Sequence, residues 1–303
     1  MTERYFTARI RYTPEMSARG LKEAKIRQIF RHLESAMGPQ HWWPAGSAFE
    51  VVAGAYLTQN TAWTNVEQAM AKLREANALS IYGIRNTELE ELERLVRPAG
   101  YFRQKAARLK LFVAHLDERH GGSLEAMFAQ PSETLREELL GLTGIGPETA
   151  DSILLYAANH EIFVVDSYTR RIFERHGLVS SETSYEEIRL AVQRALGEEG
   201  FGAEQEQEQQ PHPDAAKEKA RREEDGSPAA FSPIQTHAPS EASRMARSKV
   251  AQRYNEFHAL IVQTAKHFCV KGEPKCESCP LREMLETPKP PRRRSSARKP
   301  EHK

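Results

Sequence analysis

The chain has 303 residues and a mass of 34.4 kDa, enough to bury two core-forming lobes with segments to spare. Its 43 Lys and Arg almost balance 42 Asp and Glu, so overall charge marks no partner, although residues 287–303, with KPPRRRSSARKPEHK, are strongly basic. The three cysteines, Cys269, Cys276 and Cys279, fall within eleven residues, which excludes a disulfide framework and suits a reducing compartment. The sequence contains no apolar run of about eighteen residues, and the N-terminus lacks a continuous apolar signal core. These features predict a soluble, cytoplasmic protein without membrane association. The basic tail suits a polyanion partner or is a solvated disordered end.

Residues 17–38 place Leu21, Ile26, Ile29, Phe30 and Leu33 at helical spacing among charged residues, predicting an amphipathic helix that Gly38 and Pro39 end. Trp42, Trp43 and Pro44 follow in a loop, and Phe49–Thr58 has the small, apolar content of a buried helix. Adjacent tryptophans cannot both enter one face of a regular helix, so at least one lines a cavity or the surface, unless both plug the base of the fold. Gln59 and Asn60 could cap the next helix through their amides. Four helices are predicted between residues 66 and 140: Val66–Leu73, Leu89–Val96, Phe102–His120 and Pro131–Leu140. Tyr101, Phe102, Arg103 and Lys105 begin the third, either facing a polyanion or as an ordinary solvated helix start. No strand-like alternation persists, so the expected fold class is all-α.

The stretch Leu142–Asp166 opens on a Gly144-Ile145-Gly146 turn and closes on one acid after the apolar run Ile162–Val165. Pro147 suits an early helical position, and Ala150, Ile153, Leu154 and Ala157 share a stripe beyond it. A glycine turn at a helix N-terminus can hold a phosphate, or can be a plain helix–turn–helix. Helices are expected over the segment after Asp166 to near Gly177, where Arg170, Arg171 and Arg175 form a basic face, and over Tyr185–Leu196. Residues 198–248 are rich in Gln, Glu, Pro, Ser and Ala and poor in apolar residues, predicting a disordered insertion with a charged helical stub near 215–224. Helical periodicity resumes over Tyr254–Phe268.

The pattern L-x-G-[IV]-G-x-x-T-A with V-D some fifteen residues on resembles the helix–hairpin–helix and Gly/Pro–Asp (HhH-GPD) signature of the endonuclease III superfamily of DNA glycosylases. The strings WWPxxxxFEVxxGAxLTQNT and VRPAGYFRQKAARL at 96–109 resemble the 3-methyladenine DNA glycosylase III branch more narrowly. The resemblance covers residues 21–196 and 250–280. It implies a two-lobed helical core over 17–196 and 249–286, with DNA between the lobes and the hairpin motif near 136–157.

The resemblance also implies site roles. Asp166 becomes the catalytic carboxylate, and Trp42, Trp43, Pro44, Trp63 and Lys266 the base pocket. Gln59, Gly144, Ile145, Gly146 and Thr149 become DNA-binding residues, with Gln59 filling the gap left by an extruded base. Bifunctional relatives carry a lysine where this chain has Glu148, and a carboxylate cannot form the Schiff base of strand cleavage. From the residues alone, Asp166 is equally a helix N-cap, and Lys266 a solvated surface lysine.

Base excision needs the nucleotide flipped out and the glycosidic bond broken through an oxocarbenium-like state that one carboxylate can stabilise. An alkylated purine is cationic, attracted to tryptophan faces and a good leaving group. The expected activity is therefore monofunctional excision of alkylated purines such as 3-methyladenine, by a monomer acting on damaged double-stranded DNA. The alternatives are an endonuclease III-like glycosylase for oxidised or mismatched pyrimidines, and a non-catalytic hairpin DNA-binding module. Cys269, Cys276 and Cys279 have the spacing of the family's iron–sulfur loop, but its fourth ligand position is Leu285. The loop is degenerate, holds a labile [4Fe-4S] cluster with an incomplete cysteine set, or binds zinc; catalysis requires no cofactor.

Overall fold

The computed structural model describes residues 23–198, 201 and 239–285, and these contain helices and no strand. The expectations for 17–22, for the stub near 215–224 and for the tail at 287–303 lie outside the described residues.

Helix α1 (Glu23–Met37) buries Ile26, Ile29, Phe30, Leu33 and Met37 along one stripe. In chain order follow α2 (Ala48–Leu57), α3 (Trp63–Glu75), α4 (Ile81–Asn86), α5 (Leu89–Val96), α6 (Phe102–His120), α7 (Leu124–Phe128) and α8 (Ser132–Leu140). After the hairpin, α9 (Pro147–Ser152) widens into a π-type turn over Ile153–Ala157. Then come α10 (Ser167–Arg175), α11 (Tyr185–Leu196), α12 (Glu241–Arg244) and α13 (Lys249–His267). The predicted helices at 89–96, 102–120 and 185–196 appear with those bounds. Helices α4 and α7 were not foreseen, because five or six residues are too few to display a 3.6-residue period.

Two groups of helices meet at the π-type turn. Helices α1, α10, α11 and α13 pack on one another, as do α2 through α6, and the turn at 153–157 contacts both α2 and α13. Helix α13 is buried on nearly every side from Val250 to Ala265, including the polar residues Asn255, Glu256, His258, Gln263 and Thr264. An enclosed helix that carries polar groups positions them rather than solvating them.

The stretch 198–248 is not uniformly free of structure. Residues 202–238 lie outside the described residues, but its C-terminal end docks on the tryptophan loop. Ser240 Oγ donates to the Trp43 carbonyl at 2.8 Å, Ala242 N donates to the Ala45 carbonyl at 3.1 Å, and the Ala242 side chain is buried. Composition misses this because two backbone-directed bonds and one small buried side chain need no apolar run. On the other side, Phe201 packs edge-on against Phe30 at 5.8 Å.

Lys105, one candidate for a polyanion contact, is buried instead. Its Nζ donates to the carbonyls of Leu57 at 2.9 Å and Ala99 at 2.7 Å, tying α6 to the C-terminal end of α2. Burial pulls this ammonium down to about 8, with the Arg108 charge adding to the effect.

Candidate active site

Asp166 sits where the extended segment 162–165 enters α10, and it caps that helix. Its Oδ1 accepts from Thr169 N at 2.7 Å and from the Thr169 hydroxyl at 2.9 Å. The other oxygen, Oδ2, lies 3.4 Å from His258 Nε2 on α13. Burial pushes the Asp166 carboxyl up, but His258 and the two Thr169 donors outweigh it and hold the group below its usual value. The cap leaves Oδ2 free to face His258, so capping does not consume the whole carboxylate.

His258 is clamped from behind by Tyr156 of the π-type turn, whose hydroxyl meets Nδ1. Burial keeps Tyr156 well above its ordinary pKa, so the phenol is neutral. A phenol donating to Nδ1 leaves the ring proton on Nε2, the atom that faces Asp166. The Tyr156 ring in turn lies 5.1 Å from that of Trp43.

Trp43 is the centre of an aromatic wall. Its ring is 5.5 Å from Trp42 and 5.2 Å from Trp63, and Trp42 is 6.4 Å from Trp63. Trp42 and Trp43 keep 6% and 7% of their surface exposed, so both are largely enclosed, whereas Trp63 is half-buried. Neither ring of the pair lies on open surface: the loop turns Trp43 onto α2 and Trp42 toward Lys266. Trp43 lies flush on α2 where Gly54 has no side chain; a Cβ there would sit 3.4 Å from Trp43 Cζ2. Trp63, the first residue of α3, donates through Nε1 to Glu67 at 2.9 Å. Lys266 Nζ lies 5.8 Å from the centre of the Trp42 ring. Burial lowers its pKa, and Glu67 and Asp166 oppose that. Pro44 follows the tryptophans in the same loop and is half-buried.

The hairpin uses its two glycines differently. Gly144 has φ +85°, a conformation that strains any side chain, and a Cβ there would also displace the Arg108 side chain that bonds Gln59. Gly146 has an extended backbone that any residue adopts, and no atom lies within 4 Å of the place its Cβ would occupy. Among the described residues, neither glycine N–H makes a backbone bond. Three residues expected at the DNA have other duties inside the protein. Ile145 is buried and its N–H closes the turn onto the Leu142 carbonyl at 3.1 Å. Gln59 Nε2 donates to the Gly144 carbonyl at 2.9 Å and to Thr149 Oγ1 at 3.0 Å, while its Oε1 accepts from Arg108 at 2.9 Å. Gln59 thus braces the hairpin rather than capping α3 or standing free, and Thr149 is its partner.

Glu148 lies on the first turn of α9. Burial in the cleft and the nearby Asp166 charge push its carboxyl up to about 7, with His258 opposing. Its side chain keeps solvent access, so water screens part of that effect. Two carboxyls with pKa values driven apart can divide their work, one staying ionised while the other holds a proton near neutrality.

Beneath the hairpin, fully buried Asp151 accepts from Arg136 Nε at 2.6 Å and from the Tyr185 hydroxyl at 2.8 Å. The same Tyr185 oxygen accepts from Val165 N at 3.3 Å, so this bolt fixes the backbone next to Asp166 to the hairpin helix. Sequence reasoning missed Asp151, Arg136, Tyr185, Tyr156 and His258. Nothing local marked any of the five.

Arg171 and Arg175 are spent on the C-terminal loop. Arg171 Nε donates to the Cys269 carbonyl at 2.7 Å, and Arg175 Nη1 to the Val270 carbonyl at 2.9 Å and to Cys269 Sγ at 3.1 Å. Cys269, Cys276, Cys279, His176 and Leu285 line one cavity beneath. Burial pushes the Cys279 thiol up to about 11, although the Leu281 N–H opposes this. Leu285 offers no donor, and His176 Nδ1 is turned to the Met284 carbonyl at 3.4 Å. The three sulfurs do not converge within 4.8 Å, as a single zinc ion would require at bond lengths of about 2.3 Å. The residues therefore fit neither a four-thiolate cluster nor zinc, and the site chemistry above uses no group held there.

Residues 53–198 match the HhH-GPD superfamily base excision DNA repair protein family. A putative DNA repair glycosylase of Methanocaldococcus jannaschii is 35% identical over 269 residues, covering 87% of this chain and 98% of the relative. Endonuclease III of Thermotoga maritima is 31% identical over 154 residues, 51% of this chain and 68% of the relative. The H. pylori 3-methyladenine DNA glycosylase bound to 1,N6-ethenoadenine superposes with a TM-score of 0.57 at 26% identity, covering 81% of this chain and 96% of that one. An endonuclease III–DNA complex superposes with a TM-score of 0.58 at 17% identity, covering 87% and 95%, and shares the fold. No described helix is long and apolar enough to cross a membrane. The chain belongs to the HhH-GPD superfamily of base excision DNA repair proteins and is a DNA N-glycosylase.

Proposed function

We propose that this glycosylase excises alkylated purines such as 3-methyladenine from double-stranded DNA, as a monomer and without efficient strand cleavage. The observation that carries the reading is the wall of Trp42, Trp43 and Trp63, backed by Tyr156, whose hydroxyl meets the His258 ring that faces Asp166. Aromatic faces attract a cationic methylated base, and such a base leaves without prior protonation. Lys266 closes the wall from α13, its Nζ 5.8 Å from the centre of the Trp42 ring. Asp166, kept ionised by His258 and Thr169, supplies the charge that stabilises an oxocarbenium-like sugar. Glu148, in place of the lysine of bifunctional relatives, removes the amine that forms a Schiff base. The empty space at Gly146 and the unengaged N–H groups of the turn support backbone contact with phosphate, which gives affinity without base readout.

Excision assays on duplexes carrying methylated purines, thymine glycol or a T:G mismatch test this. The expected product comes from the methylated purine and disappears in Asp166→Asn. Product confined to thymine glycol or T:G would assign the enzyme to oxidised or mismatched pyrimidines instead. A borohydride-trapped adduct with abasic DNA that vanishes in Lys266→Met would show lyase chemistry from that amine and end the monofunctional reading.

A further inference from the structure

We propose that His115, His120 and Glu138 form a site for a divalent transition-metal cation of the zinc class, clamping the C-terminal end of α6 to α8. The site lies apart from the base pocket and does not depend on which base is excised. His120 is the last residue of α6, which ends because Gly121 adopts φ +60°. His115 precedes it by five residues, and both rings turn toward α8. Each Nε2 lies 2.6 Å from Glu138 Oε1, and all three ligand atoms fall within 4.8 Å of one another. The side chains are 21%, 11% and 14% exposed, shielded yet open to an entering ion. Gln130 Nε2 donates to the second oxygen, Glu138 Oε2, at 2.8 Å and to the Met127 carbonyl at 3.1 Å, fixing the carboxylate from outside. Bonds of that kind orient ligands around metals.

The donor set identifies the ion. Two imidazole nitrogens and one carboxylate oxygen suit Zn²⁺, Co²⁺ or Ni²⁺ with water completing the shell, whereas Ca²⁺ and Mg²⁺ take mostly oxygen donors. Without metal, the same atoms are joined by protons between each Nε2 and Oε1. A cation with bonds of about 2.1 Å needs donors about 3.4 Å apart, so each contact opens by less than 1 Å. The ion displaces the shared protons to solvent. Glu138 lies four residues before Leu142, where the hairpin begins, so the clamp stiffens the approach to the DNA-contacting turn without touching Asp166.

Titration of the full chain with Co²⁺ reads the site directly, since nitrogen and oxygen donors give visible d–d bands without the near-ultraviolet charge transfer of cobalt–thiolate. One such equivalent is expected in the wild type, absent in His120→Ala and His115→Ala, and at least tenfold weaker in Glu138→Gln. With Zn²⁺ at a hundredfold excess over Kd, the wild-type Tm should rise by about 5 °C and that of His120→Ala should not. Thermal unfolding of each variant without metal shows that it is folded, and the two alanine variants and the glutamine variant are independent readings. No binding at millimolar cobalt, a spectrum from thiolates only, or an equivalent unchanged in all three variants would overturn the site and leave a hydrogen-bonded clip.

Discussion

His258 Nε2 lies 3.4 Å from Asp166 Oδ2, while Nδ1 of the same ring meets the Tyr156 hydroxyl against the tryptophan wall. The tryptophan wall and the carboxylate are thus joined through one imidazole. The proposed role of His258 is that of a positioning residue, which faces Asp166 and lowers its carboxyl pKa. His258→Ala should lower kcat about 10- to 100-fold with duplex affinity nearly unchanged. The acid limb of the kcat–pH profile should move upward, because Asp166 loses the partner that lowers its pKa. A profile that keeps its acid limb would show that His258 only packs.

Asp166 caps α10, and two substitutions separate that role from the proposed catalytic one. Asparagine caps a helix about as well as aspartate, so Asp166→Asn should lower kcat roughly 10²- to 10³-fold with a small change in Tm. Asp166→Ala should match that kinetic loss and cost about 1 kcal/mol more in stability. Equal unfolding midpoints for the two variants in urea would remove the capping role.

Folding raises the Glu148 carboxyl from 4.5 to about 7, so between these values the native protein holds a proton that the unfolded chain releases. The resulting contribution to stability is complete below the unfolded value and is lost as pH rises through about 7. Glu148→Gln, which cannot ionise, should match the wild type in Tm near pH 4.5 and exceed it by a few degrees near pH 8. A constant Tm difference across this range would show that Glu148 is not shifted.

The Arg136–Asp151 pair is enclosed beneath the hairpin, where an orphaned charge has no water to turn to. Arg136→Met should cost about 3–5 kcal/mol, and Asp151→Leu in the same chain should restore much of it. Urea unfolding of the two single variants and the double variant measures the coupling. Strictly additive losses would mean that the two side chains are not a functional pair.

Helix bounds were legible wherever a segment was long and faced one core. The periodicity of 89–96, 102–120 and 185–196 marks each helix to the residue. The hairpin was legible because glycine at Gly144 and proline at Pro147 are local requirements of backbone geometry. Gln59 shows the opposite case: its sequence neighbours suggest a helix cap, and the resemblance a residue that fills the gap left by an extruded base, but its amide spans 85 residues to brace Gly144. Lys105 and Arg171 misled for the same reason, since a basic side chain looks alike in sequence whether its charge meets solvent or a carbonyl.

The sequence by itself determined an all-α chain with a glycine hairpin, an acid at the end of the following segment, and tryptophans ahead of a buried helix. These follow from periodicity and backbone conformational preference, which act over a few residues. Only the tertiary structure decided that Asp166 is held by His258, that Glu148 is driven toward neutrality beside it, and that three tryptophans and Tyr156 share one wall. Those properties depend on burial and on charges 18 to 92 residues away in the chain, and both exist only once α9, α10 and α13 have packed.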